Sequence, residues 1–427
     1  MGEYESVWTR YWLRSNPFFT EPLEIDGSPI PVESLVGRNE EKRAISSLIR
    51  MGGGTRFIVF GEPGVGKTSL VNLIRNEARK SNFISPIREI SIPINPNPQR
   101  VMVETLVLLY EEIKNKGIKL PEKDRKKLEM LQPFADLEDF EGEGSEWVTS
   151  TTSILVSLFK SLTKELRATG YSAVILHYNN LDKIKDEEKI LNLFQEIREF
   201  LQNPDSIMIF IGDDLAHNAI SSEPRIKQIF QFPAIEVRPL SYEETREIIE
   251  KRIELLRIDK SRDVKVLEEG VIRILWNLFK GNIREILNSL SFTFRELPQG
   301  NLPVTITNLR LKDVLHEAVN KNYLNKLNAE EKAVLRIILD AGKITPSELA
   351  IKSGKRPQNI SSYYLKRLIE AKAVELIEAR GRQRFYAVVP QVHWWKLEKT
   401  TEEQEQEKKL TEQTKNRLKD IQKKLIE

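Results

Sequence analysis

The chain lacks cysteine altogether over its 427 residues, which excludes a disulfide framework, a thiol nucleophile and cysteine metal sites. Histidine is scarce, and His177, His217, His316 and His393 are too dispersed for a metal motif. No apolar run approaches the roughly 20 residues of a membrane span, and the first residues carry no signal-peptide core. An excess of one charge is missing too: 66 Lys and Arg stand against 63 Asp and Glu, a net +3, although 30% of residues are charged. Any nucleic-acid surface must therefore be local. These absences predict a soluble, cytoplasmic protein with no membrane partner, long enough for two or three domains.

What is present begins with Arg56-Phe57-Ile58-Val59-Phe60 running into Gly61-Glu62-Pro63-Gly64-Val65-Gly66-Lys67-Thr68, then Ser69-Leu70-Val71-Asn72-Leu73-Ile74. An apolar strand that empties into GxxxxGK[ST] and an amphipathic helix is the context a phosphate loop needs. Gly61, Glu62, Pro63, Gly64, Val65, Gly66 and Ser69 make the cradle, whose backbone N–H groups turn inward around the phosphates with the helix dipole facing them. Lys67 is placed to reach the β- and γ-phosphates, and the Thr68 hydroxyl to ligate Mg²⁺. The expected cofactors are ATP and Mg²⁺.

Candidate strands at 56–60, 87–92, 173–178, 206–211 and 235–237 alternate with helical segments. That alternation predicts an α/β fold with a parallel sheet covered by helices on both faces. Residues 1–34, aromatic and punctuated by proline, read as an arm packing over a domain. The stretch 117–146 reads as an irregular insert, acid-rich over 136–146. From 241 to 297 the pattern is helical, opened by the capping box Ser241-x-x-Glu244. After a break at 298–307 and a helix over 311–318, residues 328–389 predict three helices and a hairpin. Asn328-x-x-Glu331 and Thr345-Pro346-Ser347-Glu348 open the first two, Gly354 ends the second, and the third covers about 357–371. Strands at 374–377 and 384–388 flank Arg380-Gly381-Arg382. The layout is that of a winged helix-turn-helix. Residues from 398 read as a solvated helix or disordered tail.

Together these motifs resemble an AAA+ ATPase of the archaeal origin-recognition and replication-initiator type. Leu35-Val36-Gly37-Arg38-Asn39-Glu40-Glu41 is similar to the entry motif near the adenine, Gly212-Asp213-Asp214 to sensor 1, Glu223-Pro224-Arg225 to the arginine-finger segment, and Gly281-Asn282-Ile283-Arg284 to sensor 2. The resemblance implies domains at 1–34 (arm), 35–239 (P-loop AAA+ module), 240–324 (helical lid), 325–392 (winged helix) and 393–427 (charged tail). It implies roles for Val36 beside adenine, Arg284 at the γ-phosphate, Arg225 toward a neighbouring subunit, and Tyr242 stacking on the base.

The sequence departs from that pattern where an Asp and a Glu should end the second core strand. It reads Ala173-Val174-Ile175-Leu176-His177-Tyr178-Asn179-Asn180-Leu181-Asp182-Lys183, so Asn179 and Asn180 replace the two carboxylates. An amide carries no charge and accepts no proton. Loss of general-base help, worth roughly 10²–10⁴ in rate, leaves binding intact and hydrolysis slow. Either the protein is a slow nucleotide switch, or Asp182, Asp213 or Asp214 takes over. His177 is a weaker candidate base because it falls within the strand.

In a winged helix the third helix enters the major groove and the wing reaches the backbone or minor groove. With Ile360, Leu365, Leu368 and Ile369 inward, Gln358, Asn359, Ser361, Ser362, Lys366 and Arg367 face out. Lys355 and Arg356 lead in, and Arg380, Arg382 and Arg384 mark the wing. The expected partner is double-stranded DNA, with head-to-tail self-assembly on it and a nucleoid-associated location. Replication initiation, regulation of a mobile element, and a signalling or defence ATPase whose winged helix binds protein all use these parts.

Overall fold

The computed structural model describes residues 6–135, 152–231, 233–262, 264–297 and 302–397. The acid-rich insert, the start of the break at 298 and the tail from 398 lie outside them.

Six parallel strands form the central sheet: β1 Thr55–Phe60, β2 Phe83–Ile84, β3 Ile90–Ser91, β4 Ala173–Asn179, β5 Ser206–Ile211 and β6 Ile235–Glu236. They run in the order β2-β4-β5-β1-β6, with β3 also paired to β4. Thr55 sits opposite Ile207, Val174 opposite Ser206, and Ser91 opposite Asn179. Strands covered on both faces need continuous apolar runs, and β4 and β5 are buried at every residue. Alternation sorts them: Phe57, Val59, Ile175, Ile207, Ile209 and Ile211 join a core with α1 (Asn39–Arg50) and α2 (Lys67–Arg79). Ile58, Val174, Leu176, Tyr178, Met208 and Phe210 join the opposite core, with α3 (Pro98–Asn115) and α4 (Glu122–Ala135).

Two expectations change here. The strand predicted at 87–92 shortens to β3, because the carbonyls of Ile87 and Arg88, with that of Pro86 before them, accept from Arg75 instead of a neighbouring strand, and β2 forms ahead of it where no strand was expected. Residues 122–135 of the expected irregular insert are helical: Leu128 and Leu131 are buried, and the pairs Glu122–Lys126 and Arg125–Glu129 line the exposed side.

The lid consists of α5 (Tyr242–Leu256), α6 (Val271–Phe279), α7 (Ile283–Arg295) and α8 (Asn308–Asn322). Its first helix carries the predicted capping box in full. The region is not continuously helical, however, since 257–262 and 264–270 are irregular and Leu267 bridges to Ile306. The arm packs into this lid: Trp8, Tyr11 and Phe18 surround Phe294 at ring-centroid distances of 5.0, 5.4 and 5.3 Å. Tyr11 donates to the Val304 carbonyl at 2.8 Å.

The C-terminal unit contains α9 (Ala329–Ala341), α10 (Pro346–Ser353) and a third helix made of α11 (Pro357–Asn359), a π turn (Ile360–Tyr364) and α12 (Leu365–Glu370). Capping boxes at Asn328/Glu331 and Thr345/Glu348 open the first two, and Gly354 closes the second in the left-handed conformation. An antiparallel hairpin of β7 (Val374–Arg380) and β8 (Gln383–Val388) turns at Gly381-Arg382. Ile369 is 43% exposed and Tyr364 takes the inward place expected of it. With Tyr364, Leu365 and Leu368 inward, Ile369 is left at the edge of that stripe. The chain does not leave the core at 393 as expected: Val392 and Trp394 are buried, and Trp394 donates to Ser289 of α7 at 2.9 Å. Among the described residues, no helix is long and apolar enough to cross a membrane.

His393 lies beside Phe279 in this last turn, and its burial, helped by Lys396, pushes its pKa from 6.5 down to about 4. The unfolded chain therefore binds the proton first, so this stability is present above about pH 6.5 and lost as pH falls toward 4. Thermal melts should show His393→Gln losing less stability than wild type over that window, by up to about 1.4 kcal/mol per pH unit.

Candidate functional site

The phosphate loop connects β1 to α2, whose first residue is Lys67 behind Gly66 at φ 96°. Lys67 is buried and donates to the carbonyls of Gly61 at 2.7 Å and Glu62 at 2.9 Å. Its nitrogen stands 3.8 Å from Asp182. Burial lowers its pKa, against the pull of Asp182, Asp213 and Asp214 and with the push of Arg284. Two cations lining one cavity, Lys67 and Arg284, suit a polyanion there.

Arg284 belongs to the lid, and its backbone N–H donates to Gly64 at 3.2 Å. Asn282 donates its amide to Pro63 at 2.8 Å. The lid is thus seated on the phosphate loop itself. Gly281 makes the turn possible: with φ 89°, a Cβ there would fall 2.0 Å from the Leu240 carbonyl.

The cavity these elements enclose measures about 820 Å³ and is lined by Lys67, Thr68, Glu89, Asn179, Asp182 and Arg284, among others. Thr20, Glu21 and Pro22 of the arm also line it. Leu23 uses its N–H on the Ser69 hydroxyl at 2.9 Å, so that hydroxyl is held by the arm, leaving the Ser69 backbone for a phosphate. Arg252 of α5 donates to Phe19 at 2.7 Å and lies over its ring at 4.2 Å, tying arm to lid. A narrow apolar cavity adjoins this one, lined by Val36, Val65, Leu240 and Ile283, which is where a base would find cover.

At the strand end, Asn179 and Asn180 stand together. Thr68 Oγ1 and Asn179 Oδ1 are 3.5 Å apart, the relation expected between the two metal-side groups of a phosphate loop. Asn180, at φ 74°, donates to Ser91 at 2.7 Å. Glu89, which sequence reasoning missed, accepts from Asn179 at 2.5 Å. Burial raises its pKa, offset by that hydrogen bond and by Arg75. Only the pairing of β3 with β4 brings it here, a nonlocal fact no motif records. Asp213 caps the helix Asp214–Ser222 through Ala216, 3.1 Å away, and burial raises its pKa. His177 accepts from Arg75 at 3.0 Å on Nδ1, which places its proton on a buried Nε2 without a partner, and its pKa is driven well below 6.5. A ring so enclosed is no base for water in the cavity.

Two residues of the expected set do not line this cavity. Tyr242 packs against Arg273 at 3.7 Å and lines a separate cavity between α5 and α6. The structure therefore puts it with the lid's own packing and away from the phosphate loop. Arg225 is exposed on the short helix Pro224–Lys227, outside the lining of its own phosphate cavity.

On the C-terminal unit, Gln358, Asn359, Ser361, Ser362, Lys366, Arg356, Arg382 and Arg384 are exposed. Three expected contacts are engaged internally: Lys355 with Glu330 at 2.9 Å, Arg367 with Glu331 at 3.4 Å and Glu370 at 3.2 Å, and Arg380 with Glu378. The hairpin is docked: Ala379 N–H donates at 2.7 Å to the carbonyl of Lys185, a residue lining the phosphate cavity.

A parallel sheet of this order, with its phosphate loop after a central strand and a helical lid seated on that loop, decides the architecture. The fold is an α/β phosphate-loop module beneath a helical lid. No family model matches the chain, and no curated protein matches it. Among solved structures, it is similar to the Orc2 protein of Aeropyrum pernix in its ADP form, at 14% identity over 89% of this chain and 95% of that one, with a TM-score of 0.47. It is similar to the Aeropyrum pernix Orc1 protein in complex with DNA, at 16% identity over 86% and 94%, with a TM-score of 0.44. Cdc6p from Pyrobaculum aerophilum follows at 14% identity over 87% and 95%, with a TM-score of 0.43. These likenesses assign no residue a role.

Gly64 tests the seat of the lid. At φ 92°, an added Cβ would fall 2.4 Å from Asn282 Oδ1 and 2.9 Å from the Arg284 Cβ. Gly64→Ala should lift the lid and weaken ATP at least about 10-fold, equivalent to about 1.4 kcal/mol, in a titration with a fluorescent ATP analogue.

Proposed function

We propose that this protein is an ATP-binding, DNA-binding switch, replication-initiator-like, in which nucleotide at Lys67 sets the position of the C-terminal helix–hairpin unit. The observation that carries the reading is the hydrogen bond from Ala379 to Lys185. Lys185 donates to the Asp182 carbonyl at 2.6 Å, and the Asp182 carboxylate faces Lys67 at 3.8 Å. A phosphate that draws Lys67 away from its loop carbonyls changes what Asp182 faces, and Asp182 is two residues of contact from the hairpin. The coupling has a physical path and no separate relay is needed.

The unit acts as a winged helix on double-stranded DNA. Gln358, Asn359, Ser361 and Ser362 present amides and hydroxyls at the front of the third helix, with Lys366 behind them and Arg356 leading in. Gln and Asn suit adenine edges, and Arg382 and Arg384 on the wing suit phosphate. Lys355, Arg367 and Arg380 serve by exchanging a carboxylate partner for phosphate. Val36 and the narrow apolar cavity take the base, Thr68 and Asn179 face Mg²⁺, and Arg284 meets the γ-phosphate. Mg²⁺, when bound with ATP, neutralises phosphate charge. Asn180 in the place of a base makes hydrolysis slow, so the bound nucleotide persists as a state. Arg225, turned outward, completes the site of the next copy in a head-to-tail array on DNA.

The docked hairpin also fits a signalling ATPase in which this unit is an internal switch for a protein partner; the polar face of the third helix favours DNA. Anisotropy titrations of duplex DNA with ATP, ADP or neither, at two salt concentrations, separate the two. Affinity should depend on nucleotide and fall with salt, and Lys67→Ala should erase the nucleotide dependence. Arg382→Ala with Arg384→Ala should flatten the log–log salt slope by about 2. Ala379→Pro, which removes the N–H held by Lys185, should leave DNA binding but uncouple it from nucleotide. Absent or salt-insensitive binding overturns the DNA reading.

A further inference from the structure

The end of β4 gives the metal side of the cavity two amides and no charge. Thr68 and Asn179 stand 3.5 Å apart there, and Glu89 bonds to Asn179 from the neighbouring strand edge. A carboxylate can only accept, so the Asn179 amide must turn its NH₂ to Glu89. Its oxygen is left facing Thr68, and the Asn180 N–H donates to that same oxygen at 2.8 Å. The amide is fixed from both ends.

Glu89 is itself held in place. Arg75, from the phosphate-loop helix, donates to the carbonyls of Pro86, Ile87 and Arg88 just before it. Ser91, two residues on, gives its N–H to Glu104 at 3.1 Å. The side chain between these anchors lines the phosphate cavity and is 31% exposed. Asp182 is occupied differently: it faces Lys67, on the side of the terminal phosphate.

We propose that Glu89 is the carboxylate of the Mg²⁺ site, acting from the β3 edge to supply behind Asn179 the charge that β4 lacks and to aim the Asn179 oxygen at the metal position. The assignment rests on the ATP-binding reading above. Mg²⁺ in nucleotide sites is held by few protein oxygens together with phosphates and water; Thr68 and Asn179 supply those oxygens here, and Glu89 orients and polarises the amide from behind. Charge has moved one strand across the sheet, from the end of β4 to the start of β3. Because the position that would activate water is still the amide of Asn180, the site keeps its metal without regaining a base.

The experiment is a titration of a fluorescent ATP analogue into the full chain, with Mg²⁺ and with EDTA, read as the ratio of the two affinities. Glu89→Gln should cut the strengthening by Mg²⁺ about 10- to 100-fold, the usual loss for a group supporting a metal ligand. Its affinity in EDTA should match wild type, which also shows the variant folded. Glu89→Asp, which keeps the charge on a shorter side chain, should retain more of the Mg²⁺ effect than the equal-sized Glu89→Gln, the reverse of the order a packing role would give. A full Mg²⁺ effect in Glu89→Gln, or its loss in Asp182→Asn instead, overturns the assignment. Wild-type protein that binds nucleotide with no Mg²⁺ effect also overturns it and leaves the ATP-binding reading standing. No nucleotide binding at all removes both.

Discussion

Arg75 is the interaction on which the nucleotide site depends. It is fully buried, and its guanidinium donates to Ser85, Asn72, His177 and the carbonyls of Pro86, Ile87 and Arg88. Burial pushes its pKa down to about 10, against the pull of Glu89 and Glu112, so it remains charged at neutral pH. A buried cation is tolerated only when its donors are met, and here meeting them joins three segments: the phosphate-loop helix, the loop ahead of β3, and β4. Truncating it would leave the polar groups of all three without partners. Both sides of the metal position, Thr68 and Glu89, are thereby held to one frame.

A second constraint is the shared core of arm, lid and C-terminal unit. Trp8, Phe294, Leu335 and Trp394 belong to one contiguous apolar cluster. The sheet, by contrast, keeps its two faces in separate clusters. The molecule therefore divides along the cavity, with the sheet and phosphate loop on one side and everything that closes over them on the other. Leu73 of the phosphate-loop helix packs into the lid cluster, and the other contacts named across that division are polar: Asn282 to Pro63, Arg284 to Gly64, Leu23 to Ser69, Asn72 to Leu23, and Ala379 to Lys185. Polar contacts can exchange partners at little cost, whereas an apolar core cannot, which suits a boundary that responds to phosphate.

Much of this was legible locally. The strands at β1, β4 and β5 are continuous apolar runs, and the caps at Ser241, Asn328 and Thr345 form as their spacing requires. The lid's Asn282 and Arg284, within a motif the sequence singles out, seat on the phosphate loop through Pro63 and Gly64. What escaped was set by tertiary pairing. Glu89 sits in a stretch that reads as a plain strand, and its importance comes from β3 lying against the end of β4. Tyr242 looked available to a base, but a cation–π partner from the next helix claims it. Ile369 fell outside the inward stripe because Tyr364, Leu365 and Leu368 already fill it, leaving Ile369 at its solvent edge. The hairpin's contact with Lys185 uses backbone atoms alone, so no side-chain pattern announces it.

The helix Ile283–Arg295 carries a less obvious consequence. Trp8, from the beginning of the chain, rests on its Phe294, while Trp394, from near the other extreme, is bonded to its Ser289. About one and a half turns of a single rod hold both segments, and the same rod begins at the seat on the phosphate loop. A tilt of that rod carries the arm and the turn after the hairpin as one body, so neither can shift without the other.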